Sequence, residues 1–487
     1  MNKRYQLAVI GSGSGGREAA LLAARNGLRV GLIEKDTLGG TCLHRGCYSV
    51  RALRACAEVA EMTSKSSRFG FSMTDSEPGL PAWISAQRRV SARLTHELQN
   101  QLEKAGVEIL FGHGSLFETD QIRLTPSRAE EEIVEADYII LATGSRPEFD
   151  AHALGPKFVN SDQLLTKTEL PRHLLIIGGG YIGCEFASIF RALGSTVTLV
   201  EKRNRLLSNW DASLGDFIAA ALRSSAVDLH LGFELDVERL GSANPDHELT
   251  LGDGRRIRPD CVLVAIGRRP NVEGLGLESL NIGKKPFISV DEQLRTSSPT
   301  IFAIGDVNGL SLLDSAAVVQ ARVAVDAIQG GQSRFSARWV PRCIHTDPPI
   351  ASIGWNEDEA GKAGLELIAH SQTFRLLTDD ERSVVDPVPT MLKILIQSES
   401  REIFGVHVIG RQAAEIVNLA SVAIRCQLTL EQLLQIPLVH PSATEAIQEC
   451  VKSLGRVEVG ERGLGAAEQS GTTEGLRPGG TPLRGVC

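Results

Sequence analysis

The run LAVIGSGSGGREAALLAARNGLRVGLIE, Leu7 to Glu34, holds three patterns in a fixed order. Gln6–Ile10 is apolar and reads as a short strand. An Ala/Leu-rich segment ending near Gly27 reads as a helix, and Leu28–Ile33 as a second strand closing on Glu34. Between strand and helix lies Gly11-Ser-Gly13-Ser-Gly-Gly16. Glycines at Gly11, Gly13 and Gly16 let the backbone approach a pyrophosphate, and the helix N-terminus offers it a favourable dipole. Glu34 is placed to accept hydrogen bonds from a ribose hydroxyl. The stretch is a dinucleotide-binding unit of an α/β fold.

The unit recurs. His173–Ile177 is a strand, Gly178-Gly-Gly180-Tyr181-Ile-Gly183 a second loop, and Thr196–Val200 a strand closing on Glu201. Gly11 to Glu34 and Gly178 to Glu201 both span 23 positions, which implies two sites of one design. Two dinucleotides on one chain suggest a flavin and a nicotinamide, with hydride passing between them.

Directly after the first unit come Gly39-Gly40-Thr41-Cys42-Leu-His44-Arg-Gly46-Cys47. In a regular helix, five steps would part the two cysteines by about 140° and about 7.5 Å along the axis. A disulfide wants Cα atoms about 5.5–6 Å apart, so bonding requires a distorted helix, which Gly46 permits. A small strained ring is reducible, and Cys42 and Cys47 read as a redox couple. Two alternatives stand beside this reading. The pair with His44 could be half a zinc site, although no second Cys/His pair at ligand spacing appears, or the thiols could simply be buried.

The 487 residues allow three or four domains, and the net charge of −8 gives no reason to expect nucleic acid as a partner. Nine scattered cysteines do not make a disulfide scaffold. No apolar run reaches membrane-spanning length and the first residues lack a signal-peptide core, so a soluble cytoplasmic protein is expected. Ala52, Leu53, Cys56, Val59 and Ala60 recur at helical spacing, with Cys56 assigned to the core. A second helix is expected from about Ile84 to Lys104, with Val90, Leu94, Leu98 and Leu102 on one face. Strands Tyr138–Leu141, Cys261–Ala265 and Thr300–Ile304 each run into a glycine exit: Ala142-Thr143-Gly144, Ile-Gly267, and Gly305-Asp306. Such exits are where α/β sheets place ligands. Beyond Pro341, strands (Ile350–Ile353, Leu392–Ile396, Glu402–Ile409) and helices (Ala413–Arg425, Leu430–Gln435, Thr444–Ser453) suggest a separate α+β domain.

Near the end stands Val439-His440-Pro441-Ser442-Ala-Thr-Glu445. A purely structural account makes Ser442 and Glu445 a capping box with His440 beside it. A chemical account makes His440 an acid/base oriented by Glu445, since thiol chemistry needs a base to form the thiolate.

Taken together, these motifs resemble the class I pyridine-nucleotide disulfide oxidoreductases over roughly Lys3 to Arg456, and within them dihydrolipoamide dehydrogenase. The resemblance implies an α/β architecture of two Rossmann-like three-layer domains plus a C-terminal α+β dimerisation domain. Its expected divisions are 1–150 (FAD, first part, with the redox couple), 151–275 (NAD(P)), 276–342 (FAD, second part), 343–459 (dimer interface) and 460–487 (disordered tail). It implies FAD held by Gly11, Gly13, Gly16, Glu34, Gly40, Thr41, Arg51, Ala142, Thr143, Gly144, Gly305 and Asp306. NAD is implied at Gly178, Gly180, Tyr181, Gly183, Glu185, Glu201 and Gly267, with Tyr181 as a lid. Cys42 would exchange with a small dithiol, disulfide or lipoyl-domain substrate and Cys47 with the flavin. His440 and Glu445 would act from the partner subunit of a homodimer, and no metal is implied. Glu201 repels a 2′-phosphate and favours NAD over NADP, with Arg203 and Arg205 pulling the other way. A glutathione-reductase-like enzyme using NADPH is the alternative, a mercuric reductase fits less well, and a catalytically silent flavin-bound scaffold is a third reading. The family usually follows its second cysteine with Ile-Pro-Ser-Lys, the lysine pairing the glutamate matching Glu185. Here Tyr48-Ser49-Val50-Arg51 stands instead, and an Arg51–Glu185 ion pair is expected. The terminal Cys487 could relay electrons but is read as incidental.

Overall fold

The computed structural model describes residues 3–71, 79–126, 130–235, 248–374 and 390–462. Lys3–Ile10 pairs in parallel with Val30–Glu34 on one side and Glu132–Leu141 on the other. Glu108–Phe111 extends one edge in parallel, and Ile301–Ala303 returns from far down the chain to pair with Glu132–Leu141. Both faces of the first strand are covered, as a parallel sheet requires. Leu7 and Val9 pack against helices Ser14–Arg25 and Asp314–Ile328 through Ala19, Ala20, Ala23, Ala316 and Ala324. Ala8 and Ile10 pack against Leu116, Ile122 and Leu124. Those three come from an antiparallel hairpin, His113–Glu118 with Gln121–Thr125.

The second sheet repeats the plan. Its strands run in the order Asp228–Leu231, Thr196–Glu201, His173–Ile177, Cys261–Val264, Phe158–Val159, all parallel. Helix Tyr181–Ala192 lies on it with Cys184, Phe186, Ala187 and Phe190 buried. A short antiparallel pair, Ser145–Pro147 with Arg268–Pro270, carries the chain between the two units. The C-terminal sheet is antiparallel, with Ile394, Ile396, Val406 and Val408 under helices Ala413–Arg425 and Glu445–Arg462. The architecture is therefore two doubly wound α/β units followed by an α+β unit.

Several expectations need correcting. The helix after the thiols begins at Cys47 itself and runs to Ser64. Its buried face is Leu53, Arg54 and Ala57, while Val59 is exposed and Cys56 only half-buried. The next helix begins at Leu80, four residues earlier than expected, because Pro81 fits a first helical turn. Its Val90 faces solvent, and Ile84, Leu98 and Leu102 are the buried positions. The last helix reaches Arg462, so the expected tail begins inside it; the rest of the tail, with Cys487, lies outside the described residues. No helix among the described residues is long and apolar enough to cross a membrane.

Candidate active site

Both glycine loops are built by the same contacts. A Cβ on Gly16 would meet the Gly11 carbonyl oxygen at 1.8 Å, and one on Gly183 would meet that of Gly178 at 1.9 Å. Gly11 (φ 103°) and Gly178 (φ 113°) lie in the left-handed region, and a Cβ on either would strike the carbonyl of Ala142 or Ala265 at 2.4 Å. Gly13 and Gly180 differ: a Cβ there meets nothing within 4 Å. Each loop thus has glycines walled in by backbone and one glycine opening outward, the cradle a pyrophosphate needs. The closing acids match too. Glu34 Oε2 accepts from the Ser12 N–H at 2.9 Å and Oε1 from the Asp36 N–H at 2.9 Å. Glu201 Oε2 accepts from the Gly179 N–H at 2.6 Å and Oε1 from the Arg203 N–H at 2.8 Å. Of the two arginines beside Glu201, Arg205 faces Asp358 at 3.7 Å and Arg203 bonds the Ser208 hydroxyl. Both are engaged away from the carboxylate, which leaves Glu201 as the charge on the ribose side.

A cavity of about 950 Å³ opens beside the first loop. It brings together Gly11, Gly13, Glu34, Gly40, Thr41, Cys42, Cys47, Arg51, Ala142, Thr143, Gly144, Gly305 and Asp306 from the first unit, and Tyr181 and Glu185 from the second. Gly16 stands behind the loop as packing. Gly178, Gly180, Gly183, Glu201 and Gly267 form the second loop outside this cavity, and His440 and Glu445 are not on its wall. The glycine exits are held by cross-links: Thr143 Oγ1 donates to the Asn271 carbonyl at 2.7 Å, and Asn271 Nδ2 returns a bond to the Thr143 carbonyl at 2.8 Å. Ser145 Oγ donates to Asp306 Oδ2 at 2.5 Å, and burial holds Asp306 above the usual carboxylate range. Burial likewise pushes the Tyr181 hydroxyl up to about 12, so it stays protonated on the cavity wall.

The thiol stretch is two helices, not one. Gly40–Arg45 ends at Gly46 (φ −136°, ψ −125°), and Cys47 starts the next. The break re-aims Cys47 toward Cys42, and the two thiols share a hydrogen bond. Carbonyls freed near the break are met by side chains: Ser49 Oγ donates to the His44 carbonyl at 3.0 Å and Ser91 Oγ to the Leu43 carbonyl at 3.1 Å. Gln87 Nε2 bridges both hydroxyls, at 2.7 and 2.9 Å. His44 bonds the Leu38 carbonyl through Nε2 at 2.9 Å. Among the described residues no cluster of three or more His, Cys, Asp or Glu is arranged to hold a metal. The hydrogen bond from the Cys42 thiol lowers Cys47 and raises Cys42, and the Asp314 carboxylate adds a further upward push on both. Of the two, Cys47 is the thiol that ionises more readily.

His440 Nδ1 lies 3.1 Å from Glu445 Oε1, and the Ser442 N–H donates to Glu445 Oε2 at 2.9 Å. Glu445 thus serves both expected readings at once, and the Ser442 and His440 contacts lower its carboxyl. The His440 side chain is 80% exposed on the surface of its own chain. The expected Arg51–Glu185 ion pair is absent: Arg51 Nη1 bonds the His345 ring at 3.0 Å, and the His345 N–H donates to Glu185 Oε1 at 2.7 Å. Sequence reasoning missed Ser12, Asp314 and His345. Ser12, inside the quoted loop, was findable; the other two lie some three hundred positions from their partners.

Two dinucleotide cradles of one design, the first opening on a cavity that holds a thiol pair and is walled in part by the helix of the second, define an oxidoreductase that moves electrons between a thiol pair and a pyridine nucleotide. Residues 5–331 match the family described as pyridine nucleotide-disulphide oxidoreductase, residues 340–451 match that family's dimerisation domain, and the chain belongs to this family. It is 32% identical over 453 residues to a dihydrolipoyl dehydrogenase of Chlorobaculum parvum, covering 92% of this chain and 96% of that one. It is 32% identical over 450 residues to a glutathione reductase of Burkholderia cepacia, covering 91% and 97%. LpdA from Mycobacterium tuberculosis superimposes with a TM-score of 0.83 at 26% identity, over 93% of this chain and 99% of that one. The flavoprotein disulfide reductase RclA from Escherichia coli, as its Cu(II) complex, gives 0.79 at 25%, over 93% and 100%. The protein is an FAD- and NAD-dependent flavoprotein disulfide oxidoreductase, and its dimerisation domain makes it a homodimer.

Proposed function

We propose that the chain oxidises a dihydrolipoyl-type dithiol with NAD⁺. The observation that carries the nucleotide choice is Glu201, fixed by the Gly179 and Arg203 N–H groups with both nearby arginines turned elsewhere. The likeness to dihydrolipoyl dehydrogenases supports the thiol substrate. In the oxidised couple, a substrate thiolate attacks Cys42, the Cys42–Cys47 bond breaks, and Cys47 leaves as thiolate. The second substrate thiol, losing its proton to His440 of the partner subunit, attacks the substrate sulfur bound to Cys42. A substrate disulfide forms, and the leaving Cys42 sulfur takes that proton back from His440 to become a thiol. Glu445 holds the Nδ1 side of that imidazole, leaving Nε2 to work. The Cys42 thiol then stabilises the Cys47 thiolate by hydrogen bonding. FAD, seated by the first cradle, supplies the two-electron link from that thiolate to NAD⁺. Gly13 would give its pyrophosphate room, Glu34 would hold the ribose and Asp306 would hold the ribityl chain.

A second reading is a glutathione-reductase-like enzyme, favoured by the Burkholderia cepacia relative and by Tyr181 on the cavity wall. A steady-state panel of NADH and NADPH against lipoamide, oxidised glutathione and mercuric ion separates them. The first reading expects NADH with lipoamide to dominate; NADPH with glutathione in that place overturns it. Cys42→Ser is expected to cut disulfide turnover by about three orders of magnitude or more, as loss of a nucleophile does, with FAD still bound. Unchanged turnover removes the couple from the mechanism.

A further inference from the structure

Glu185 is a half-buried carboxyl on the cavity wall whose only hydrogen-bond donor among the described residues is the His345 N–H, at 2.7 Å. Burial pushes it up to about 7, against the pull of that N–H and of Arg51 and Arg54. The nearest available cation, Arg51, is on the adjoining helix Cys47–Ser64 and does not reach it. Its Nη1 lies 3.0 Å from Nδ1 and 3.1 Å from Nε2 of His345, nearly equidistant from the two nitrogens, so the guanidinium rests over the face of the ring. The ring is neutral: burial and the two arginines hold His345 down to about 4. Arg54 is occupied elsewhere, facing Glu58, Glu61 and Asp347 at 3.4 to 3.7 Å. The remaining titratable groups around Glu185 are thiols and a phenol: Cys47, Cys184, Cys343 and Tyr181. None of these is a cation.

We infer that His345 is a positioning residue of the nicotinamide half of the reaction: its ring holds the Arg51 guanidinium away from Glu185, leaving that carboxyl free to take up a solvent proton when the site is reduced and return it on reoxidation. The hydride of NADH carries an electron pair and a proton: the pair ends in the Cys42–Cys47 bond, which breaks to leave Cys47 as thiolate, and the proton ends on Cys42 as its thiol, while the proton on Glu185 comes from water and goes back to it. A fixed ion pair would keep Glu185 charged throughout, because an opposite charge at contact favours the ionised form. Here the guanidinium is near enough to tune the carboxyl and too well occupied to neutralise it. The inference rests on the flavin site and not on the identity of the thiol substrate.

The test is an infrared pH titration of the Glu185 carboxyl in the FAD-loaded dimer, with Glu185→Gln identifying the band and no disulfide substrate present. The wild-type inflection is expected near pH 7. In His345→Ala the released Arg51 swings onto Glu185, and the inflection moves toward acid by about 1–3 pH units. His345→Phe, which keeps an aromatic face under the guanidinium, keeps the wild-type inflection, and Arg51→Met moves it toward alkali. The pH profile of NADH-driven flavin bleaching should shift in the same directions. An unmoved inflection in folded His345→Ala overturns the proposal, as does an equal acid shift in both His345 variants. Should His345→Ala not fold, His345→Leu is read in its place, with the same acid shift expected and an unmoved inflection overturning the proposal. A failed lipoamide assay would leave this titration untouched, so the two readings fail separately.

Discussion

In the proposed function a single carboxylate sets which nucleotide the second cradle takes. Glu201 is held by two backbone N–H groups and presents its charge where a 2′-phosphate would sit. Glu201→Ala is expected to cost NADH about tenfold or more in kcat/KM and to narrow its lead over NADPH, read from paired steady-state assays. Gly183→Ala tests the loop behind it. The new methyl would lie 1.9 Å from the Gly178 carbonyl oxygen, so the loop must shift. NADH binding should weaken by about tenfold or more while FAD content stays at one per chain, because the first loop is untouched. At this scale the sequence was legible wherever partners are neighbours, as with Gly16 against Gly11. It was silent on Arg51 and His345, 294 positions apart, since no local pattern brings the two together.

At the scale of elements, the break at Gly46 is what turns two cysteines on one helix into a couple. Gly46→Ala places a methyl 3.0 Å from the Thr41 carbonyl oxygen and 3.2 Å from Cys42 Cα, and its φ of −136° is not helical. The variant is expected to keep its flavin but to close the Cys42–Cys47 disulfide several-fold more slowly, followed by thiol titration after reduction. Element existence was readable where both faces are buried: the apolar run Leu7–Ile10 and the strand His173–Ile177 stand out as continuous hydrophobic stretches. It was unreadable for Leu367–Phe374, an edge strand with His370 and Gln372 in a mostly half-exposed run. The hairpin His113–Thr125 and the helix Ala212–Ser224 were missed for a different reason. The hairpin strands are short with polar alternate positions, and the helix follows a polar loop without a strong start signal beyond Asp211.

In the whole molecule, one buried charge network ties the nucleotide unit to the C-terminal sheet. Lys393 Nζ lies 3.0 Å from Asp211 Oδ2 and also bonds Glu357, while Asp211 caps helix Ala212–Ser224 through the Ser213 N–H. Lys393→Met leaves a buried carboxylate uncompensated and should cost about 3–5 kcal/mol in denaturant unfolding. His407 sits beside it, fully buried, with Nδ1 toward Ser352 Oγ at 2.8 Å and Nε2 toward the Trp355 carbonyl at 2.9 Å. Burial holds its ring down to about 4. An ordinary histidine titrates near 6.5, so the unfolded chain binds a proton that the folded one refuses, and His407 subtracts stability as pH falls from about 6.5 to about 4. Unfolding curves across that window should show the loss, and His407→Gln should flatten it.

The exposed His440 has a consequence for how the enzyme behaves when it is scarce. In the proposed mechanism, the groups that take electrons from NADH sit within a single polypeptide, whereas those that hand them to a disulfide are split across two. Progressive dilution should therefore unlink the two reactivities: reduction of an artificial electron acceptor per flavin stays level, while lipoamide turnover per flavin falls away as partners separate.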